Sequence, residues 1–164
     1  MTLACNDDFE SVMTLINHCI GDMESHGIFQ WNDFYPSAEI IRDDIESRSM
    51  HILKDGGDCI GMIVINEEQS PEYEQLRWTD VCGRYLIIHR LAVSPEWQRK
   101  GVGQRLMDFA ENSALERNYT SIRLDACTGN PRALALYERR GYQKAGQLYF
   151  PRRELPFNCY EKMM

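Results

Sequence analysis

Near the start of the chain, apolar residues recur at intervals of three or four positions, which is the period of one helix face. These residues are Val12, Leu15, Ile16, Cys19, Ile20 and Met23. Because Asp7 and Asp8 precede them and provide a capping carboxylate, they predict a helix over about 8–26. Ser37 is a second candidate N-cap, and we predict another helix from there to about Ser47.

The next segment has the pattern of a β-hairpin. Two apolar runs, 50–53 and 59–65, flank Asp55-Gly56-Gly57-Asp58, whose glycines supply the positive φ angles of a tight turn. Gly61 in the second run predicts a bulge or a close backbone approach. The later run 85–93 is apolar on both alternating faces, which is typical of a central strand covered on two sides.

The second half of the chain alternates between predicted helices and strands. A helix that ends near Asn118 precedes a strand over 120–126 and a further short helix. A β-α-β-α run of this kind predicts a parallel strand pair with a right-handed crossover in a mixed sheet. Strand-like segments over 142–150 and 155–162, joined through Pro151-Arg152-Arg153, predict a long antiparallel hairpin.

The segment 67–83 stands apart from these patterns. It is polar and contains Pro71, so we interpret it as an insertion or a mobile loop. A short helix is expected within it, around residues 73–78.

Composition is that of a globular protein with one domain. The chain has 164 residues, of which 43% are hydrophobic and 26% charged. Its net charge of −7, from 18 basic and 25 acidic residues, argues against a general nucleic-acid binder. No apolar run approaches the roughly 20 residues of a membrane span, and the N-terminus lacks a secretion signal. We therefore expect a cytoplasmic protein with no membrane partner and with reduced cysteines.

A glycine-punctuated turn joins the central strand to the helix that follows it. The helix has no acidic residue in its first turn, and the charged residues nearby are Arg99, Lys100 and Arg105. Backbone amides, helix dipole and cations therefore share one sign, and Gly101 and Gly103 let a ligand approach the backbone. The turn predicts a phosphate or pyrophosphate site, with an ordinary strand-to-helix bend as the alternative.

Two well-known nucleotide motifs do not fit this turn. Leu106 occupies the third glycine position of Gly-x-Gly-x-x-Gly, which disfavours a dinucleotide. A triphosphate-binding loop needs Gly-Lys followed by Ser or Thr. Here Lys100 precedes Gly101 instead, which disfavours a triphosphate.

The segment 130–142 has the marks of a short helix. Asn130 is an N-cap, Pro131 stands at the first helical position, and Gly141 follows the last turn. Helix formation explains these residues, but it does not require a tyrosine at position 137.

Together the two segments resemble the signatures of the GCN5-related N-acetyltransferases. The acyl-CoA signature of that family, Gln/Arg-x-x-Gly-x-Gly/Ala after a central strand, is matched by Gln98, Gly101 and Gly103. The later pattern, Asn-x-x-Ala-x-x-Leu-Tyr-x-x-x-Gly-Tyr/Phe, is matched by Asn130, Ala133, Leu136, Tyr137, Gly141 and Tyr142. The likeness covers roughly residues 85–145, and both motifs occur in the family's order.

The resemblance implies one α/β acyltransferase domain with a central, mostly antiparallel sheet, a splayed parallel strand pair and flanking helices. In such a domain residues 1–66 form the acceptor side and 84–145 form the acyl-CoA core. The segment 67–83 is then a variable loop, and 146–164 is the C-terminal hairpin.

The resemblance also implies a set of contacts with acetyl-CoA. They are Leu91, Ala92, Val93, Gln98, Arg99, Lys100, Gly101, Val102, Gly103, Gln104, Asn130, Ala133 and Tyr137. The backbone of 91–93 would hold the pantetheine arm and stabilise the oxyanion, and the amides of 98–104 would hold the pyrophosphate. Tyr137 would protonate the leaving thiolate, with a packing tyrosine as the alternative.

The base and the acceptor site are less well defined by the sequence. His89, two residues before Leu91, is a candidate base because its ordinary pKa suits proton transfer near neutral pH; a core histidine is the alternative. Weaker candidates are Glu72, Glu74 and Asp80. Aromatic candidates for binding the acceptor are Trp31, Tyr35 and Tyr149, or the first two simply anchor their loop.

The resemblance therefore implies an N-acetyltransferase that moves an acetyl group from acetyl-CoA to a primary amine by direct attack in a ternary complex. No metal is required, and the acceptor is an amine on a small molecule or a peptide. Two alternatives stay open, a non-catalytic acyl-CoA-binding or regulatory module and a protein lysine or N-terminal acetyltransferase. The oligomeric state also stays open, with a homodimer as one option.

Overall fold

The computed structural model describes residues 1–32, 34–151 and 153–164. The helices in this part of the chain are α1 (Phe9–Ser25), α2 (Ala38–Glu46), α3 (Val102–Glu116) and α4 (Pro131–Arg139). The strands are β1 (Thr2–Leu3), β2 (Met50–Asp55), β3 (Asp58–Asn66), β4 (Tyr85–Val93), β5 (Ser121–Cys127), β6 (Gln143–Leu148) and β7 (Phe157–Met163). Short 3-10 helices cover Asn6–Asp8, Pro71–Gln75 and Pro95–Trp97. Among the described helices, none combines enough length with enough apolar character to cross a membrane.

The strands form one sheet in the order β1-β2-β3-β4-β5-β7-β6. β4 and β5 are parallel, with Tyr85 opposite Ser121 and Ile88 opposite Leu124. The β1–β2, β2–β3, β5–β7 and β6–β7 pairs are antiparallel. The predicted mixed, mostly antiparallel sheet with a parallel pair is thus confirmed. β1 was not predicted, because two residues are too few to show an alternating pattern.

The chain divides into two compact units. The first unit comprises Met1–Ile65 and His89–Ala110, and the second comprises Asn66–Ile88 and Glu111–Met164. The glycine turn therefore belongs to the first unit, and the helix that carries Tyr137 belongs to the second.

Helices α1 and α2 contribute their apolar faces to the core of the first unit. The buried residues of this core include Val12, Leu15, Ile16, Cys19, Ile20, Ile41, Ile45, Met50, Ile52, Met62 and Val64. The apolar face predicted for α1 is therefore the buried one. Ser37 caps α2 as predicted, since its Oγ accepts a hydrogen bond from the Ile40 amide at 3.3 Å.

The predicted capping role of Asp8 is wrong. Its carboxylate makes no capping bond to α1 and instead accepts the amide hydrogen of Cys5 at 3.0 Å. It also forms an ion pair with Lys54 of β2. Asp8 therefore closes the short 3-10 turn before α1, an arrangement that depends on a partner 46 positions away along the chain.

Gly61 produces both a bulge and a close approach to a neighbouring element, which the sequence predicted as alternatives. The β2–β3 register shifts where Leu53 pairs with Gly61 and Lys54 pairs with Cys59, which leaves one extra residue on β3. A Cβ at position 61 would lie 2.9 Å from Val102 Cγ1 and 3.3 Å from the Ala92 carbonyl oxygen. β3 thus bulges where α3 packs closely against it.

Substituting Gly61 by Ala should destabilise the fold by about 1–3 kcal/mol, because an added methyl group overpacks this contact. The free energy of unfolding in urea measures the effect. Gly21→Ala is the matched control: nothing lies within 4 Å of its added Cβ, and Ala is preferred over Gly inside α1 by roughly 0.5–1 kcal/mol. Equal stability of the two variants would contradict the close packing at Gly61.

In the second unit, one face of β5 holds the segment 67–83. Ser121, Arg123 and Asp125 lie on this face because they alternate along the strand. Ser121 Oγ donates to Asp80 at 3.0 Å and Arg123 Nη1 donates to Gln69 at 2.6 Å. Asp125 accepts a hydrogen bond from the Tyr73 hydroxyl at 2.7 Å.

These contacts tie the segment 67–83 to β5 within the second unit, and its interpretation as an insertion or a mobile loop stays a prediction. Its expected short helix exists as the 3-10 turn Pro71–Gln75, which starts earlier than predicted. The sequence of this segment shows no local pattern, because its partners lie 41 to 54 positions further along the chain.

The C-terminal hairpin is confirmed, with strands shorter than predicted. β6 and β7 pair antiparallel from Gln143 opposite Glu161 to Leu148 opposite Phe157. Arg152, in the predicted connection, lies outside the described residues.

Candidate functional site

The glycine turn in the first unit presents the start of α3. After the 3-10 turn Pro95–Trp97, Arg99 has φ +60 and Gly101 has φ +82. The amide of Arg105 donates to the Gly101 carbonyl oxygen at 3.0 Å, which is the first bond of the helical pattern. The amides of Val102 and Gly103 precede this bond and point along the helix axis, as the amides of a first helical turn do.

The charged residues within 98–105 are all basic, as the sequence predicts. α3 has no acidic residue in its first turn, and Arg99, Lys100 and Arg105 are exposed. Lys100 Nζ lies 4.9 Å from the centroid of the Trp97 ring, so its charge stays beside the turn. This combination of donors, dipole and cations suits a diphosphate.

The end of β4 lies beside the start of α3. The Ser94 amide donates to the Ile60 carbonyl oxygen at 3.0 Å, and the Val93 carbonyl oxygen accepts from Cys19 Sγ at 3.4 Å. A Cβ on Gly103 would lie 3.7 Å from Val93 Cγ2. The structure therefore brings the predicted pantetheine strand, Leu91 to Val93, next to the predicted pyrophosphate turn.

The Gln98 side chain is held by α1. Its Nε2 donates to Asp22 Oδ2 at 3.3 Å. Within the first unit, this bond ties the first residue of the acyl-CoA motif to the helix that also carries Cys19.

His89 lies on β4, partly buried and beside Arg90. Burial and the Arg90 charge lower its pKa to about 4. The ring is therefore neutral at pH 7, but its affinity for a proton is weak. The role of His89 as a base stays a prediction.

Arg90 forms an ion pair that sequence reasoning missed. Its Nε donates to Asp44 Oδ2 at 2.7 Å, and its Nη1 donates to the Tyr35 hydroxyl at 3.3 Å. These residues are 46 and 55 positions apart in sequence, so no local spacing pattern indicates the cluster.

The aromatic candidates for binding the acceptor differ in exposure. Trp31 is only 6% exposed and packs in the core of the first unit, which fits its anchoring alternative. Tyr35 is partly buried at the edge of that core, next to Arg90. In the second unit, Tyr149 is 68% exposed.

Tyr137 lies on α4, which begins as the motif predicts. Asn130 Oδ1 accepts the Ala133 amide hydrogen at 3.1 Å and so caps the helix. The Tyr137 ring is 6% exposed and lies 6.0 Å from the Tyr142 ring and 6.2 Å from the Tyr160 ring, centroid to centroid. Burial and then the charge of Asp125 raise the pKa of Tyr137 well above its usual range. Its hydroxyl therefore stays protonated at neutral pH.

Asp125 is the second residue that sequence reasoning missed. Burial raises the pKa of its carboxyl to about 6, although the hydrogen bond from Tyr73 opposes this shift. A lone Asp near the end of a strand shows no motif, and its partner Tyr73 lies 52 positions away.

Two of the three weaker base candidates in 67–83 have structural partners. Hydrogen bonds from Thr120, the Gly83 amide and Ser121 outweigh burial and lower the pKa of Asp80. A hydrogen bond from Ser70 lowers the pKa of Glu72, and Glu74 is exposed on the 3-10 turn.

Comparison with known families identifies the chain. The model of the acetyltransferase (GNAT) family matches residues 13–142, which is most of this chain. The chain belongs to this family. As a GNAT protein it is an N-acetyltransferase, and it shares with its family the use of a coenzyme A thioester.

Several curated proteins are similar along most of this GNAT chain. An uncharacterized N-acetyltransferase, YesJ of Bacillus subtilis, is 27% identical over 146 residues, or 87% of this chain and 81% of YesJ. The S-(2-succino)cysteine N-acetyltransferase of the same organism is 22% identical over 88% of this chain and 84% of its own. The N-alpha-acetyltransferase RimI of Mycobacterium tuberculosis is 27% identical over 73% of this chain and 68% of its own.

Solved structures share the fold. A GNAT-family acetyltransferase from Streptococcus agalactiae has a TM-score of 0.83 and 21% identity, covering 99% of this chain and 93% of its own. A chain in the structure of the NatC complex bound to Gag peptide and CoA has a TM-score of 0.70 and 18% identity, covering 97% of this chain and 92% of its own.

Proposed function

We propose that this GNAT protein transfers an acetyl group from acetyl-CoA to a primary amine by direct attack in a ternary complex. The observation that carries the proposal is Tyr137, a buried tyrosine at the motif position on a helix that Asn130 caps as the motif predicts. Helix packing alone does not require a hydroxyl there. Holding both reactants together removes much of the entropic barrier to attack.

The proposed cofactor contacts follow the two motifs. The first-turn amides of Val102 and Gly103, with the surrounding residues Gln98 to Gln104, hold the pyrophosphate. The backbone of Leu91, Ala92 and Val93 holds the pantetheine arm and stabilises the developing oxyanion. Asn130 and Ala133 contribute from the start of α4, where Asn130 also caps the N-terminus of the helix.

Tyr137 acts as the general acid in this proposal. The neutral amine nitrogen attacks the thioester carbon, the carbon–sulfur bond breaks, and the phenol proton passes to the sulfur of coenzyme A. The proton that the nitrogen loses restores the phenol, so the products are one amide and one thiol. A positioned acid of this kind contributes about 10²–10⁴-fold to a rate.

The acceptor is a primary amine on a small molecule or a peptide. The relatives support both classes by their names, since one acts on S-(2-succino)cysteine and another is an N-alpha-acetyltransferase. In this chain Tyr35 and the exposed Tyr149 are the proposed aromatic contacts, and Trp31 supports the loop that carries Tyr35.

A thiol-release assay tests the proposal. Purified protein and acetyl-CoA are mixed with a panel of small primary amines and, separately, with peptides that carry a free N-terminus or a lysine. Amine-dependent release of coenzyme A supports acetyl transfer, and the better panel gives the acceptor class. Tight acetyl-CoA binding by calorimetry without any release would favour the non-catalytic alternative.

Gly103→Glu should weaken acetyl-CoA binding by about tenfold or more, because it places a carboxylate beside the diphosphate, and juxtaposed like charges cost several kcal/mol. Calorimetry measures the dissociation constant. Gly103→Ala is the matched control, since its Cβ meets Val93 at an ordinary contact distance of 3.7 Å. Unchanged affinity of the Glu variant would mean that the phosphates bind elsewhere.

A further inference from the structure

The C-terminal half of α1 contacts both segments of the first unit that the proposed function assigns to the cofactor. Cys19 Sγ donates to the Val93 carbonyl oxygen at 3.4 Å, and Asp22 Oδ2 accepts from Gln98 Nε2 at 3.3 Å. Cys19 and Asp22 are three positions apart, so they lie on one face of the helix. One face of α1 therefore contacts the end of β4 and the start of the glycine turn.

Asp22 stands where a helix disfavours a carboxylate. α1 ends at Ser25, and its last turn has no basic residue. The aligned peptide dipoles give this end of a helix a partial negative charge, so an acidic side chain is unfavourable there. The Asp22 side chain is 22% exposed, and its Oδ1 lies 3.6 Å from His26 Nδ1. Helix formation therefore does not explain an aspartate at this position, and the explanation lies in what its side chain contacts.

The glycine turn that follows Gln98 has an unfavourable backbone conformation. Arg99 has φ +60 and Gly101 has φ +82, and a left-handed φ is costly for a residue with a Cβ, such as Arg99. A conformation of this kind persists only where the surrounding structure holds it. The Ser94 amide, which donates to the Ile60 carbonyl oxygen at 3.0 Å, fixes the chain before the turn. The side chain of Gln98 adds a further bond immediately before Arg99.

We propose that Asp22 is a positioning residue for the cofactor, which acts through Gln98 to keep the glycine turn in the conformation that binds the diphosphate. The inference rests on the proposed function, in which the amides at the start of α3 hold the diphosphate of acetyl-CoA. Without the bond to Asp22, the turn would occupy that conformation less often. The apparent dissociation constant rises in inverse proportion to the fraction of molecules that are competent to bind.

The charge of Asp22 and its hydrogen bond have opposite effects on binding. A carboxylate near the turn repels a diphosphate, so removal of the charge alone should tighten binding. Removal of the hydrogen bond should weaken it. Asp22→Asn removes the charge and keeps an oxygen that accepts from Gln98, whereas Asp22→Ala removes both. The sign of the change in affinity in Asp22→Ala therefore shows which effect dominates.

Calorimetry with acetyl-CoA tests the proposal. The dissociation constant of Asp22→Ala should rise about three- to tenfold, as expected for the loss of one hydrogen bond of ordinary strength. Asp22→Asn should bind as tightly as the wild type or slightly more tightly. Glu24→Ala is the matched control, since it removes an exposed carboxylate from the same turn of α1 and should leave the constant unchanged. His26→Ala removes a different contact of Asp22 and should also leave it unchanged.

A double-mutant cycle tests whether the effect passes through Gln98. Gln98→Ala should weaken binding, and the addition of Asp22→Ala should then change the dissociation constant little, because both variants remove the same bond. Steady-state thiol release gives a second readout. In Asp22→Ala the KM for acetyl-CoA should rise while kcat stays at the wild-type value. With S-acetylpantetheine, a donor that lacks the diphosphate, the KM should be the same in Asp22→Ala and the wild type.

A merely structural role would give a different pattern. Urea unfolding should show little change in Asp22→Ala, because Ala is the better helix former and relieves the unfavourable charge. An unchanged or lower dissociation constant in Asp22→Ala, or additive effects in the cycle, overturns this inference alone, provided that the wild type binds acetyl-CoA. A wild type that does not bind acetyl-CoA overturns the proposed function as well.

Discussion

Replacing Tyr137 by Phe should lower kcat by about 100-fold or more while leaving the affinity for acetyl-CoA nearly unchanged. The variant keeps the buried ring and its contacts with Tyr142 and Tyr160, which are edge-on or tilted at about 6 Å. It loses only the hydroxyl whose proton the leaving thiolate needs. Steady-state thiol release gives kcat, and calorimetry gives the dissociation constant of acetyl-CoA.

Tyr160→Phe is the matched control for this prediction. The Tyr160 hydroxyl lies in the same cluster of rings but donates to Glu138 at 2.9 Å. Loss of this hydroxyl should therefore affect stability and not turnover. Unchanged turnover in Tyr137→Phe would remove the acid role. A loss of turnover of equal size in both variants would attribute the effect to packing.

Glu161→Ala should destabilise the protein by about 3–5 kcal/mol, the usual effect of breaking a buried ion pair. Glu161 Oε1 accepts from Arg123 Nε at 3.1 Å, and Oε2 accepts from the Thr79 amide at 2.6 Å. Arg123 is 3% exposed and packs between the rings of Trp78 and Tyr85. Without Glu161, the buried guanidinium charge would keep hydrogen bonds only to neutral groups, the Gln69 side chain and the Asp80 carbonyl oxygen. Urea unfolding followed by circular dichroism measures the loss.

Two further variants show whether the buried charge is the cause. The double variant Arg123→Met, Glu161→Leu removes both charges and should recover most of the lost stability. Glu67→Gln, which disrupts the exposed ion pair with Arg84, should change stability little, because solvent screens that pair. A small effect of Glu161→Ala would show that the segment 67–83 is held mainly by its apolar contacts around Tyr73.

The regular elements of this protein were predictable because each depends on a local pattern. The bounds of β4 match the predicted 85–93, and those of α2 match a helix capped by Ser37. α3 stops before Asn118, whose φ is +57. Periodicity, caps and glycine turns act within a few residues, so one chain shows them directly.

The sequence by itself determined the family motifs, the electropositive start of α3 and the capped helix that carries Tyr137, because these features need only neighbours along the chain. Tertiary structure alone decided which acidic groups have partners and how strongly His89 binds a proton. It also placed Tyr73 against Asp125 and buried Arg123 with Glu161. Each of these outcomes depends on desolvation and on contacts between residues 38 to 52 positions apart, and a single sequence shows neither.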